Sequence, residues 1–155
     1  MKTGPGSNQS PSDDTDEVRR LFHQHVPEVA SGDVEIVGIV RDRGARSALT
    51  VISRKPGVDA VGSCMGNRGD RVKHIVAALH GEHVDIVLWN NSAKQFLSNL
   101  LAPMRFVDVS FDDASRHATA LLEADSKLLP SRIVALRSRL FSEVTGWVLQ
   151  FEMAG

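Results

Sequence analysis

The sequence predicts an α+β fold in which one order of elements, helix–strand–strand–helix–helix–strand, occurs twice. Some stretches have apolar residues at every second position, which predicts strands. Others have apolar residues every three to four positions, which predicts amphipathic helices, and the two kinds of stretch follow one another along the chain. Gly81 and Gly146, which are predicted to end matching helices, lie 65 residues apart and give the length of one copy. We therefore predict a first domain over residues 14–91 and a second over residues 92–155, packed together.

The composition restricts the class of protein before any motif is considered. The 155 residues are 42% hydrophobic and 24% charged, which is typical of a globular protein. With 18 Lys and Arg against 19 Asp and Glu, a nucleic-acid site would have to be a local basic patch. Residues 1–13 are polar and predict a disordered leader. No segment is apolar enough for a secretion signal or a membrane span, so we expect a cytoplasmic protein without a membrane partner.

The first copy begins with a predicted helix that Asp14 caps and Pro27 ends, with Glu17 completing a capping box. Gly81 is expected to supply the left-handed cap of a later helix. The other predicted elements are strands at 33–41 and 47–54 around a turn at 42–45, a short segment at 59–65, an amphipathic helix starting near Gly69, and a last strand at 83–89.

The second copy follows the same plan but lacks glycines at the matching place. Ser92 and Gln95 form a capping box before its first helix, which Pro103 ends. Strands at 105–111 and 116–122, a helical stretch at 127–144 marked by Pro130, and a strand at 147–153 complete it. No glycine occurs between residues 126 and 145.

The sequence Gly66-Asn67-Arg68-Gly69 between two helices is the motif that points to a function. Glycines without Cβ atoms let a sugar-phosphate chain approach the backbone, and the N-terminus of the following helix attracts phosphate. Arg68, Arg71 and Lys73 add positive charge inside and just after the loop. The pattern therefore predicts binding of single-stranded RNA, whose unstacked bases would lie in the adjacent groove.

The expected RNA contacts fall into three groups. Those in and after the loop are Gly66, Asn67, Arg68, Gly69, Arg71, Lys73 and His74, those in the groove are Val61, Val72 and Ile86, and those in the first hairpin are Arg41, Arg43 and Arg46.

Several stretches resemble the NusA family of transcription factors. Residues 26–29, 58–72 and 85–89 resemble its first KH domain, and residues 144–147 more weakly resemble its second. The resemblance implies two tandem type II KH domains that bind nascent single-stranded RNA in transcription termination and antitermination. RNA polymerase or other transcription factors are the further partners that it implies. The second Gly-x-x-Gly, which would fall at residues 131–135, is absent, so the second KH domain is degenerate.

Other functions have less support in the sequence. A KH-fold module for protein interaction or ribonucleoprotein assembly, with little RNA affinity of its own, is the alternative that stays open. We expect no enzyme, no cofactor and no metal site, since His80 and His83 straddle a helix end without a further ligand. Cys64 is expected in the core, and Trp89 and Trp147, which end strands, are expected to cap the core.

Overall fold

The computed structural model describes residues 13–154 and divides the chain after Leu88 into two compact units. We call the part ending at Leu88 unit 1 and the part from Trp89 unit 2. Each unit contains one three-stranded sheet and two or more helices, so the predicted α+β class is confirmed. The predicted disordered leader, except for Asp13, lies outside the described residues.

The described part of unit 1, residues 13–88, contains four α-helices and three strands. Its elements are α1 (Asp13–His25), α2 (Pro27–Ser31), β1 (Val34–Asp42), β2 (Arg46–Ser53), α3 (Ala60–Met65), α4 (Asp70–Ala78) and β3 (His83–Leu88). The strand β2 lies in the centre, antiparallel to β1 and parallel to β3. Because β2 and β3 run parallel, the chain must cross over between them, and α3 and α4 form this crossover.

The core of unit 1 forms where the helices cover the sheet. Val18 and Phe22 of α1, four positions apart and therefore on one helix face, are fully buried. Leu49 of β2, Cys64 of α3 and Ile75 of α4 belong to the same apolar cluster. The core thus joins both helices of the crossover to the sheet and fixes the ends of the loop between them.

Unit 2 repeats the strand arrangement with fewer helices. Its elements are α5 (Ala93–Leu100), β4 (Phe106–Asp112), β5 (His117–Leu122), α6 (Ser131–Thr145) and β6 (Val148–Met153). As in unit 1, the central strand β5 is antiparallel to one neighbour and parallel to the other. Phe96, Leu140 and Phe141 are fully buried between α5 and α6.

Most predicted strands and helices are found within one or two residues of their predicted bounds. Ser92 caps α5 as predicted, since its hydroxyl accepts a hydrogen bond from the Gln95 N–H. The reciprocal half of the predicted capping box does not form, because the Ser92 N–H donates to Asn90 Oδ1 and the Gln95 side chain donates to Asn99. Across the part of the chain that the structure describes, no helix has the length and apolar character needed to cross a membrane.

The structure differs from the predicted details at several places. The helix α1 begins at Asp13, so Asp14 lies inside it, and the capping box with Glu17 does not form. The sequence analysis also missed α2, which has Pro27 in its first turn. At the end of α4 both His80 and Gly81 have positive φ, at 58° and 93°, so Gly81 contributes to the left-handed cap as predicted and His80 precedes it there. Residues 127–130 are not helical, so one helix, not two, connects β5 to β6.

Candidate nucleic-acid interface

The loop between α3 and α4 has a backbone conformation that requires glycine. Gly66 and Gly69 have φ values of 77° and 74°, and Arg68 between them has a φ of 57°. Positive φ is accessible to glycine and costs about 1–3 kcal/mol at other residues. The four residues form a tight turn, with a single 3₁₀ turn at Asn67–Gly69, which brings the chain directly into α4.

The two glycines of the loop have different roles. A Cβ atom at Gly66 would lie 2.6 Å from Cγ and 2.8 Å from the backbone N of Arg71, closer than real contacts allow. Gly66 is therefore needed for packing within the protein. A Cβ atom at Gly69 would meet only Cγ1 of Val72, at 3.9 Å. The backbone at Gly69 is the position where a ligand could approach.

The start of α4 has the electrostatic properties of an anion site. Its N-cap residue, Gly69, supplies no side-chain hydrogen bond to the first turn, so the N-terminal N–H groups lack a side-chain acceptor. Arg68 and Lys73 are exposed and form no ion pair within the described part of the chain. Asp70 opposes them, since its carboxylate is 70% exposed in the first turn. The local balance of charge remains positive.

His74 and Asn67, two other predicted contacts, lie at the surface near this loop. The Nδ1 atom of His74 is 2.8 Å from the carbonyl oxygen of Asp70, one turn earlier in α4. Its ring also lies parallel to that of His25 in α1, with 6.0 Å between the ring centroids. Asn67 is exposed at the tip of the loop.

Arg71 holds the loop in place, because its guanidinium is already bound within the protein. Its Nη1 atom donates to Oε1 of Glu28 and to the carbonyl oxygen of Ser63, both at 2.7 Å. The Glu28 backbone N–H and then the Arg71 guanidinium lower the pKa of the Glu28 carboxyl, despite its partial burial. The interactions link α4 to α2 and α3, so Arg71 is a positioning residue.

Arg41 lies in a buried ion pair and not at the loop. Its side chain is 4% exposed, and its Nε and Nη2 atoms donate to the carboxylate of Glu82, with distances of 2.9–3.2 Å. Its Nη1 atom donates to Glu17 at 2.8 Å. The hydroxyl of Ser47 and the N–H of Gly44 also donate to Glu82. A guanidinium with this many partners is unavailable to phosphate, which corrects the prediction for Arg41.

Burial and hydrogen bonding act in opposite directions on Glu82. Burial alone raises the pKa of its carboxyl, because the charged form loses water. Hydrogen bonds from Arg41, Ser47 and Gly44 outweigh this effect, and the pKa lies below its ordinary value. Glu82 therefore stays charged and joins the β1–β2 turn to the start of β3.

The other arginines of the first hairpin are also paired. Arg43 contacts Asp14 of α1 at 2.6 Å, with both side chains more than half exposed. Arg46 contacts Asp85 of β3 at the same distance, in a less exposed position. The positive patch that the sequence predicted on this hairpin is therefore largely neutralised by carboxylates from other elements.

The three predicted groove residues are half-buried and keep part of their surface for a ligand. Val61 of α3 and Ile86 of β3 pack against the core of unit 1, and Val72 follows the loop in α4. The helix α3 packs on both β2 and β3, so the helix that carries Val61 lies against the strand that carries Ile86. The side chains are compatible with an apolar floor beside the loop.

Cys64 is a core residue, as predicted. Its side chain is fully buried, and burial, with a smaller contribution from the Glu28 charge, raises the pKa of the thiol to about 12. A thiol in this state is not a nucleophile at neutral pH. Within the described residues, no group of three or more His, Cys, Asp or Glu side chains could hold a metal ion.

Sequence reasoning missed residues that position the loop. Asp59 is the N-cap of α3, and its carboxylate accepts a hydrogen bond from the Gly62 N–H at 2.9 Å. An Asp directly before a helical segment is a recognisable capping signal. Glu28 and Glu82 gave no local signal, because their partners lie 43 and 41 residues away in the sequence.

A Gly-x-x-Gly turn between two helices that connect parallel strands is the arrangement of a KH domain, a class of nucleic-acid-binding module. The model of the NusA-like first KH domain family matches residues 12–89. The chain belongs to this family.

Curated relatives match most of the chain. It is 36% identical over 137 residues to the transcription termination/antitermination protein NusA of Thermus thermophilus, covering 88% of this chain and 35% of the relative. The NusA proteins of Mycobacterium bovis and Bacillus subtilis are 37% and 35% identical, with coverage of 84% and 87% of this chain and 38% and 36% of theirs. The chain thus spans a little over a third of the length of these relatives.

A solved structure shows the same fold. The crystal structure of APE1850 superposes with a TM-score of 0.61 and 15% sequence identity, covering 88% of this chain and 95% of that protein.

Proposed function

We propose that the chain binds single-stranded RNA through the Gly66–Gly69 loop of unit 1. The observation that carries the proposal is the open backbone at Gly69, directly before a helix N-terminus without a side-chain cap. Arg68 and Lys73, for which the described residues show no ion pair, supply positive charge on either side of that position. A loop of this kind clamps about four nucleotides of backbone in KH modules.

We further propose that the chain provides the RNA-binding region of a NusA-like transcription factor in the cytoplasm. The relatives named above support this, since each is a transcription termination/antitermination protein. RNA polymerase or other transcription factors are then further partners. The RNA in this proposal is the nascent transcript.

We also propose that residues 14–91 and 92–155 form two KH domains, the second one degenerate. The matching order and direction of strands in the two sheets supports a duplicated fold. In unit 2, α6 begins at Ser131 without a preceding glycine turn, and its first turn carries the branched side chains of Ile133 and Val134. Unit 2 therefore lacks the backbone clamp of unit 1.

A salt titration with labelled RNA tests the proposed function. Single-stranded RNA is expected to bind at least about tenfold more tightly than duplex RNA or duplex DNA, because the groove accepts only unstacked bases. With Arg68 and Lys73 as the phosphate contacts of the loop, log K should fall with log salt with a slope of about −1.4. Fluorescence anisotropy at several salt concentrations measures both quantities.

Three outcomes would contradict the proposal. Equal affinity for single-stranded and duplex RNA would exclude a groove that reads splayed bases. Absence of measurable binding at low salt would favour the alternative of a protein-interaction module. A slope several times steeper than expected would show that many more cations contact phosphate than this loop provides.

A further inference from the structure

Unit 2 contains an aromatic cleft that the proposed RNA loop does not use. Its volume is about 420 Å³, within the usual range for small-ligand sites. We call it the Trp cleft. Its lining includes Trp89, Trp147, Phe111, Asn90 and Asn91.

The aromatic rings of the Trp cleft pack against other aromatic rings of unit 2 and are partly exposed to solvent. Trp89 packs on the fully buried ring of Phe96, with 4.7 Å between centroids, and keeps part of its surface accessible. Phe111 lies edge-on to Trp147 at 5.0 Å and is 44% exposed. Fixed rings with accessible surface are what stacking of a nucleobase requires.

A cation lies at the edge of the same cleft. The guanidinium carbon of Arg116 is 4.1 Å from the centroid of the Trp147 ring, and Arg116 forms no salt bridge within the described part of the chain. Its backbone is held on both sides, by hydrogen bonds from its N–H to Asp112 O at 2.8 Å and from the Val148 N–H to its carbonyl at 2.9 Å. The guanidinium therefore lies against the Trp147 ring, and no carboxylate among the described residues forms a salt bridge with it.

The polar side chains of the cleft present hydrogen-bond donors. Asn91 uses its Oδ1 atom to accept from the Trp89 indole N–H at 3.1 Å, and Asn90 uses its Oδ1 atom to accept from the Ser92 N–H at 2.8 Å. The acceptor end of each amide is thus occupied, which leaves the NH₂ groups for an acceptor on a ligand.

We propose that the Trp cleft binds a base of single-stranded RNA, as a second contact apart from the loop of unit 1. The base stacks on the aromatic rings, an Asn NH₂ group donates to its edge, and Arg116 contacts the neighbouring phosphate. An anionic ligand with an aromatic face matches an unpaired guanidinium beside aromatic rings. An apolar protein segment would leave this charge and both amide groups without partners.

Intrinsic fluorescence tests the proposal directly, because the chain has two tryptophans and both line the cleft. The probe is a single-stranded hexa-adenylate, titrated into a Gly69→Asp variant in which the loop of unit 1 is blocked. Saturable quenching of tryptophan emission is expected. Free N-acetyltryptophanamide, titrated in parallel, corrects for light absorption by the RNA.

Variants of the cleft distinguish stacking from a remote effect. Phe111→Leu removes a ring but keeps an apolar side chain, and Arg116→Asn removes the charge with a residue that tolerates the φ of 58°. Each should weaken the quenching titration about tenfold, the effect of one lost stacking or phosphate contact. Leu128→Ala, at an exposed apolar residue that does not line the cleft, should leave it unchanged.

Unchanged emission up to millimolar RNA would overturn the proposal and leave the cleft to a protein partner. Quenching that persists equally in Phe111→Leu and Arg116→Asn would also overturn it. The proposed function is tested separately, because the difference in RNA anisotropy between the unmodified chain and Gly69→Asp measures binding at the loop, whereas tryptophan emission in Gly69→Asp measures binding at the cleft.

Discussion

The Gly69→Asp variant is expected to bind single-stranded RNA about 10–100-fold more weakly than Gly69→Asn, from repulsion between the new carboxylate and the RNA phosphate. Asn and Asp have nearly the same shape, and both tolerate positive φ better than other residues with side chains. A Cβ atom at this position has room, since its nearest neighbour would be Val72 Cγ1 at 3.9 Å. Fluorescence anisotropy with one labelled RNA gives both dissociation constants.

Comparison of the Asp and Asn variants separates the effect of the charge on RNA binding from the effect of the substitution on stability. Both should lose about 1 kcal/mol of stability relative to glycine, because each places a Cβ atom at a φ of 74°. Thermal unfolding checks that the two losses are equal. Equal RNA affinity of the Asp and Asn variants would show that no phosphate approaches Gly69. Gly66 is unsuitable for the same test, because a side chain there would collide with Arg71.

The Glu82→Gln variant is expected to lose about 3–5 kcal/mol of unfolding free energy, the largest stability effect that we predict. The change keeps the size of the side chain but leaves the buried Arg41 guanidinium without its main counter-charge. Urea denaturation measures the difference. The matched control is Glu17→Gln, which removes a 37% exposed partner of the same guanidinium and should cost about 1 kcal/mol or less.

The pH dependence of stability gives an independent check on Glu82. Its folded pKa lies below the ordinary value of 4.5, so its contribution to stability is fully present above about pH 4.5. The contribution is lost as the pH falls through the lower, folded pKa. The Glu82→Gln variant should therefore lose less stability than the unmodified chain between neutral and acidic pH. Equal stability losses for Glu82→Gln and Glu17→Gln at neutral pH would contradict the assignment of a buried ion pair.

Local sequence patterns were sufficient to predict most of the secondary structure. The β-rich runs of β1 and β2, the alternation in β3 and the helical spacing from Val72 to Leu79 are patterns within one element, where a side chain's direction follows from its position. The α2 helix was missed because its five residues, Pro27–Ser31, are too few to show a helical pattern. The predicted helix was begun too early, at residue 127, whereas α6 begins at Ser131, directly after Pro130.

The candidate site shows why residue type alone does not define an interface. Arg41, Arg43 and Arg46 form a basic cluster in the sequence, but carboxylates from α1 and from residues 82–85 pair with each of them. Such partners are set by tertiary packing, which no spacing rule reports. Likewise, the Gly-x-x-Gly motif does not distinguish the roles of Gly66 and Gly69. The position of the Arg71 side chain is what makes one of them structural and leaves the other open.

The most direct measurement of the central claim is an NMR titration of the unmodified chain with a short single-stranded RNA. If the Gly66–Gly69 loop clamps the RNA backbone, the largest amide shifts will fall between residues 62 and 74, with the Gly69 amide among them. Shifts concentrated between residues 130 and 139, with residues 62–74 unchanged, would contradict the claim and assign the main RNA contact to unit 2.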